Sequence, residues 1–198
     1  MTEDHKAVLH RYLTRAREAV LWKLEGLSEH DLRRPLTATG TNLLGVVKHL
    51  AGVEAGYFGD CFGRPVADMP GWYPEMMADT LEDNGDMWAT AQESRDSIID
   101  LFHRVVVHAD ALIDDLDLDH VGRVPWWGKD GMDVTLQWLL VHMIAETNRH
   151  GGQMDIVREL IDGAAGMRPD AMNLPEGGPG YWENYRNRLQ DTADQFKG

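Results

Sequence analysis

Two polar side chains one helical turn apart, Glu146 and His150, interrupt an apolar stripe in Glu146-Thr147-Asn148-Arg149-His150-Gly151-Gly152-Gln153. Leu136, Leu139, Leu140, Met143, Glu146, His150, Met154, Val157 and Ile161 follow the three-and-four spacing of one helix face, which predicts that both lie on a buried side. A carboxylate taken out of water is costly unless it is paired, hydrogen-bonded or bound to a cation, so Glu146 needs a partner. A divalent metal ion is such a partner, and helical bundles build metal sites from side chains on facing helices. His49 offers a further imidazole, with Gly45, Gly52 and Gly56 at i−4, i+3 and i+7 on its own helix. Glycine inside a helix costs about 0.5–1 kcal/mol relative to alanine, so this ridge points to a packing or access requirement, one form of which is room around an ion. If the two helices face each other, His49 becomes the third ligand beside Glu146 and His150. Two imidazoles and a carboxylate suit zinc, with a fourth position left for water or substrate; iron, nickel or manganese fit the same set. His142, one turn before Glu146, is an alternate ligand. A metal-free reading also stays open, with Glu146 paired to a buried arginine and each histidine hydrogen-bonded in the core.

The elements that would position these residues are helical. Leu9, Tyr12, Leu13, Ala16, Ala19, Val20 and Leu24 predict a first helix near 4–25, followed by a polar connection containing Pro35 and Gly40. Leu43, Val46, Val47, Leu50, Val53, Tyr57 and Phe58 predict a second, capped by Thr41 or Asn42 and ending before Gly63-Arg64-Pro65. The Pro- and Gly-rich stretch 63–86 reads as a long irregular crossover rather than a packed element. A third helix near 90–116 carries the clearest amphipathic pattern and begins with a Thr90/Glu93 capping box. Val121 to Gly131 has room for a short hairpin, after which Asp133 or Thr135 caps a helix to about 162, and a short helix near 181–195 closes the chain. An all-α bundle of four long helices, in one domain with a core of about 4–162 and an extension over 163–198, is the economical architecture.

Composition narrows the partners. Nineteen Lys and Arg against 33 Asp and Glu leave a net charge of −14, which argues against nucleic acid and anionic membrane surfaces. The single cysteine, Cys61, excludes an intrachain disulfide framework and a multi-cysteine zinc site and reads as a small buried hydrophobe. The charged opening Met1-Thr2-Glu3-Asp4-His5-Lys6 has no signal-peptide apolar region, and no apolar run spans a bilayer. The expectation is a soluble, cytoplasmic protein. In Asp114-Asp115-Leu116-Asp117-Leu118-Asp119 the central glycine and closing glutamate of a calcium loop are missing, so the run reads as a solvated helix end.

Leu44-Gly45-Val46-Val47-Lys48-His49-Leu50 and His142-Met143-Ile144-Ala145-Glu146-Thr147-Asn148-Arg149-His150-Gly151-Gly152-Gln153 resemble the DinB/YfiT-like superfamily, and within it the actinobacterial mini-circle-type branch. That resemblance implies a four-helix bundle holding a divalent metal, usually through three histidines. Here Glu146 stands where the middle histidine usually falls, an arrangement shared with the related mycothiol-dependent maleylpyruvate isomerases. It also implies a metal-dependent enzyme of thiol transfer or thiol-assisted isomerisation, with zinc as cofactor, a low-molecular-weight thiol such as mycothiol as cosubstrate, and a homodimer by family habit. Arg149 and the Trp126-Trp127 loop are candidates to line the mouth and bind substrate, against the plainer roles of a surface ion pair and a hydrophobic plug. A second reading keeps the metal without turnover, as a non-catalytic metal-binding or stress-related small-molecule-binding bundle; a fourth protein ligand, for which His142 is the candidate, would favour it.

Overall fold

Every long helix starts where a polar side chain can satisfy the first free backbone N–H groups. The computed structural model describes residues 4–197; the first three residues of the charged opening lie outside that range. Asp4 caps α1 (His5–Trp22), Asn42 caps α3 (Leu43–Phe58), Ser94 caps α5 (Arg95–Asp115) and Thr135 caps α6 (Leu136–Asp162), each accepting a hydrogen bond from the N–H three residues on. Gly163 ends α6 in the left-handed region at φ 80°, where a glycine has no Cβ penalty. Short α2 (Glu29–Arg33) and α4 (Trp72–Met77) lie in the connections, and α7 (Tyr181–Asp194) follows the bundle.

The four long helices form a ring in which α6 packs between α1 and α3, and α5 packs on α3 and more lightly on α1. This is the all-α bundle that the periodicity predicts. Its core falls into two groups, one around Val47, Leu50, Phe102 and Met154, the other around Phe58, Ile113, Leu139 and Met143. The seam between α3 and α6 sets His49 opposite Glu146 and His150. Among the described residues no helix is long and apolar enough to cross a membrane.

Four local expectations change. The stretch 63–86 is not merely irregular: it contains α4, whose Tyr73 is buried and donates a 2.6 Å hydrogen bond to Asp60. The polar connection after α1 holds α2, capped by Ser28. The third helix begins at Arg95, later than the Thr90/Glu93 box, because Ser94 is the residue that caps it. Thr90 N–H donates to Glu93 at 2.8 Å, but the Glu93 N–H donates to the Thr90 carbonyl at 3.2 Å, so only half the box forms, and the Glu93 carboxylate also meets Lys48. The hairpin pairs β1 (Val121–Val124) with β2 (Met132–Thr135), so its second strand lies past Gly131.

The glycine ridge of α3 is a place of close approach, and its Gly52 and Gly56 also line a cleft. A Cβ on Gly45 would lie 1.8 Å from the Met87 carbonyl oxygen, one on Gly52 would lie 3.0 Å from Trp72 and Met76, and one on Gly56 would lie 3.2 Å from Trp126. The ridge lets the crossover and the tryptophan loop approach the helix that carries His49.

Candidate metal centre

Residues 85–88 are pinned to the first turns of α3 by its cap and two of its residues. Asn42 donates to the Met87 carbonyl at 3.1 Å, Gly45 leaves room for that carbonyl, and the buried Lys48 ammonium donates to the carbonyls of Gly85 (3.1 Å) and Trp88 (3.0 Å). Lys48 also meets Glu93 at 3.0 Å and lies 4.9 Å from the Trp72 ring centroid, so a buried cation is held by carbonyls, a carboxylate and an aromatic face. Asp86 is thereby fixed between two anchored carbonyls. Its Oδ2 lies 2.6 Å from His49 Nδ1.

With Nδ1 engaged, His49 turns Nε2 toward α6, where it lies 3.8 Å from Glu146 Oε1. His150 repeats the arrangement. Its Nε2 is 3.0 Å from the same Oε1, and its Nδ1 is 2.8 Å from Gln153 Oε1, one turn further along α6. Donor atoms of His49, Glu146 and His150 all lie within 4.8 Å of one another. Two imidazoles whose far nitrogens are held by a carboxylate and an amide, and whose near nitrogens converge on another carboxylate, fit the donor chemistry of a divalent ion. The buried arginine of the metal-free reading is not what meets Glu146, which has the two histidines as partners. Nor is Glu146 fully buried: its side chain keeps 24% of its exposure, against 6% for His150.

Charge follows the same geometry. Burial pushes the His49 pKa down, but hydrogen bonds and attraction from Asp86 and Glu146 outweigh it and raise it to about 8. The His49 hydrogen bond holds Glu146 down at about 2 despite burial. His150 is lowered, first by burial and then by the neighbouring His49 charge, so its imidazole is the neutral one. Burial opposes ionisation of Asp86, yet its hydrogen bond to His49 leaves its pKa below the ordinary carboxylate value. Without a cation, the centre resembles an ion pair with a neutral imidazole beside it. A divalent ion held there would have to displace the proton on His49.

His142 stands apart from the three-residue group. Its ring stacks on Trp138 at 5.4 Å and meets Tyr57 at 4.9 Å and Trp127 at 5.0 Å edge-on. Burial lowers its pKa, opposed by the Glu146 charge. The two tryptophans of the loop part company. Trp127 packs among Tyr57, Trp138 and His142, as the plug reading has it, whereas Trp126 is 40% exposed and lines the cleft above the centre. Tyr57 Oη accepts from both indole N–H groups, at 3.4 Å from Trp126 and 3.1 Å from Trp127. Arg149 is exposed and borders a second cleft beside His150 and Gln153.

Sequence reasoning missed Asp86, Tyr57 and Gln153. Gln153 was accessible from its i+3 spacing to His150. Asp86 has no such signal, because a fold-wide crossover rather than a helical period brings it to His49. Asp86→Asn removes the charge that orients and polarises the His49 ring, and should weaken divalent-metal affinity by about 10- to 100-fold while leaving the helical circular dichroism unchanged. Competition with a chromogenic chelator measures this; an unchanged affinity would deny Asp86 its orienting role.

A four-helix bundle with a two-histidine, one-carboxylate centre between its second and fourth long helices is of the DinB-like class. The chain belongs to the mycothiol-S-transferase family, whose model matches residues 8–163. No curated protein matches it.

Proposed function

We propose that this protein is a metal-dependent transferase that joins mycothiol, through its sulfur, to an electrophile, with zinc as the metal held by His49, Glu146 and His150. The observation that carries the reading is the convergence of those donors beneath an open cleft. Among the described residues no fourth His, Cys, Asp or Glu completes the group, so a coordination position is free for a ligand, which favours turnover over a purely structural ion. A bound divalent ion supplies the positive charge that favours a thiolate over a thiol at neutral pH. Asp86 and Gln153 hold the imidazoles in register, Arg149 reaches the polar side of the centre, and Trp126 walls the other. The active unit is the core of about 4–162, close to the span of the family match.

The protein's own thiol is not the nucleophile. Cys61 is buried against Gly122, and burial together with the nearby Asp60 charge pushes its pKa up to about 12. A thiol with that pKa is protonated throughout the neutral range, so the reacting sulfur must arrive with the cosubstrate.

The direct test is consumption of mycothiol in the presence of an electrophile and the metal-loaded protein. Cys61→Ser should retain the wild-type rate, and prior chelation should reduce it to the uncatalysed one. If mycothiol is consumed no faster than without protein, the non-catalytic metal-binding bundle becomes the better reading.

A further inference from the structure

Two clefts of different character meet at the metal centre, sharing His49, Asp86 and Glu146. The larger, about 740 Å³, runs along the glycine ridge of α3 and is walled by Tyr57, Met76, Met77 and Trp126. Its ionisable lining holds Asp79, Asp86 and Glu146 with His49 and His142 and no lysine or arginine; Asp86 and Glu146 face His49, whereas Asp79 stands away from the centre's cationic groups. The smaller, about 590 Å³, is lined by hydrogen-bonding groups including Thr39, Thr41, Asn84, Arg149 and Gln153. Methionine and aromatic walls adapt to flat apolar groups of varied shape. Hydroxyls and amides instead match the sugar-like body of a glycosidic thiol.

We propose that the apolar cleft is the electrophile site and that it selects uncharged aromatic or alkyl electrophiles against anionic ones, with Asp79 as a specificity-determining residue; this rests on the thiol-transfer reading above. The polar cleft receives the thiol's hydroxyl-rich body, so both reactants reach the centre from opposite sides. Asp86 and Glu146 are offset by His49 and by the ion that the centre would hold, so an anion entering the apolar cleft meets Asp79 within a chain of net charge −14, with no arginine or lysine on the lining to compensate that carboxylate. With an activated aryl chloride the reaction balances simply. The thiol proton goes to water as the thiolate forms, the sulfur forms a C–S bond at the ring carbon, the C–Cl bond breaks, and chloride leaves with the electron pair.

Asp79 suits a specificity test because it is exposed and stands at φ 53–57° territory that asparagine shares, its own φ being 55°. Asp79→Asn therefore keeps the backbone preference while removing the charge, and Asp79→Lys reverses it. Equilibrium dialysis of the metal-bearing protein, without thiol, against 1,3-dinitrobenzene and 3,5-dinitrobenzoate, which carry no leaving group at an activated ring carbon, reads binding without turnover. The wild type should favour the uncharged ring by about twofold, the worth of the one carboxylate that the centre does not offset. One charge at about 8 Å in water-like surroundings is worth about twofold in affinity, so the preference should vanish in Asp79→Asn and reverse by about twofold in Asp79→Lys. Equal binding of the two rings by the wild type, or an unchanged preference in Asp79→Lys, overturns the proposal. Mycothiol consumption with chlorodinitrobenzene and chlorodinitrobenzoate, run in parallel, separates the two readings. A binding preference without consumption of either sinks thiol transfer and leaves the charge-selective cleft standing. Consumption of both at equal rates, with equal binding, sinks the selectivity and leaves thiol transfer.

Discussion

His150→Ala abolishes metal loading: elemental analysis of protein purified without chelator should fall from about one divalent ion per chain to about none, and mycothiol consumption should fall with it. His150 is the most buried of the three donors, and its far nitrogen is held by Gln153, so the lone pair at Nε2 is already aimed at the position shared with Glu146. Water cannot take the place of that donor without entering the α3–α6 seam. Glu146→Gln should give the same loss with almost no change of shape, because the amide keeps the volume and removes the charge that balances the cation. Both variants should keep their helical circular dichroism, since the core groups around Phe102 and Phe58 do not depend on either side chain. An ion retained at full stoichiometry in both variants would place the metal elsewhere. Loss of the ion with folding intact would dismiss the metal-free reading.

How far the site could be read before the fold was known depended on the range of the contacts. Glu146 and His150 share one helix, so a four-residue spacing was enough to place them together. His49 needed the further step of facing helices, which the apolar stripes of both segments support. The glycine ridge was visible as an anomaly but its cause was not: the Met87 carbonyl, Trp72 and Trp126 come from segments with no period of their own, so nothing in the local pattern shows what presses on Gly45, Gly52 and Gly56. The same limit hides Asp86 and gives the Thr90/Glu93 box its altered role, since Lys48, distant in sequence, engages Glu93 as well. Trp126 and Trp127 look equivalent in sequence, and only their packing separates a cleft wall from a core ring.

The bundle carries a second buried charge cluster, on a different face of α3 from the metal centre. Arg17 of α1 donates from Nε to Glu54 Oε2 at 3.2 Å, from Nη2 to Glu54 Oε1, and from Nη1 to Asp110 Oδ1 at 2.7 Å; His10 Nε2 meets the same Asp110 oxygen at 2.7 Å. Arg17 and Glu54 keep only 3% and 1% side-chain exposure. Burial drives the Glu54 pKa up, and the Arg17 charge opposes that rise. Arg17→Met strands the carboxylate and should cost about 3–5 kcal/mol of stability in urea unfolding. Adding Glu54→Leu should recover most of it, because Asp110 is 36% exposed and can turn to water while the two apolar side chains fill the space of the pair. The sign with pH is fixed by the direction of the shift. A carboxyl whose folded pKa lies above its unfolded value binds its proton more tightly when folded, so stability is lost as pH rises from the unfolded value through the folded one. Without Arg17 the folded value climbs further, and the deficit of Arg17→Met should therefore be larger at pH 8 than at pH 5. Five residues along a helix turn the side chain by about 140° from His49 to Glu54, so metal stoichiometry should stay intact in the double variant. A deficit that persists after Glu54→Leu would mean that Arg17 stabilises chiefly through Asp110, tying α1 to α5 rather than α3.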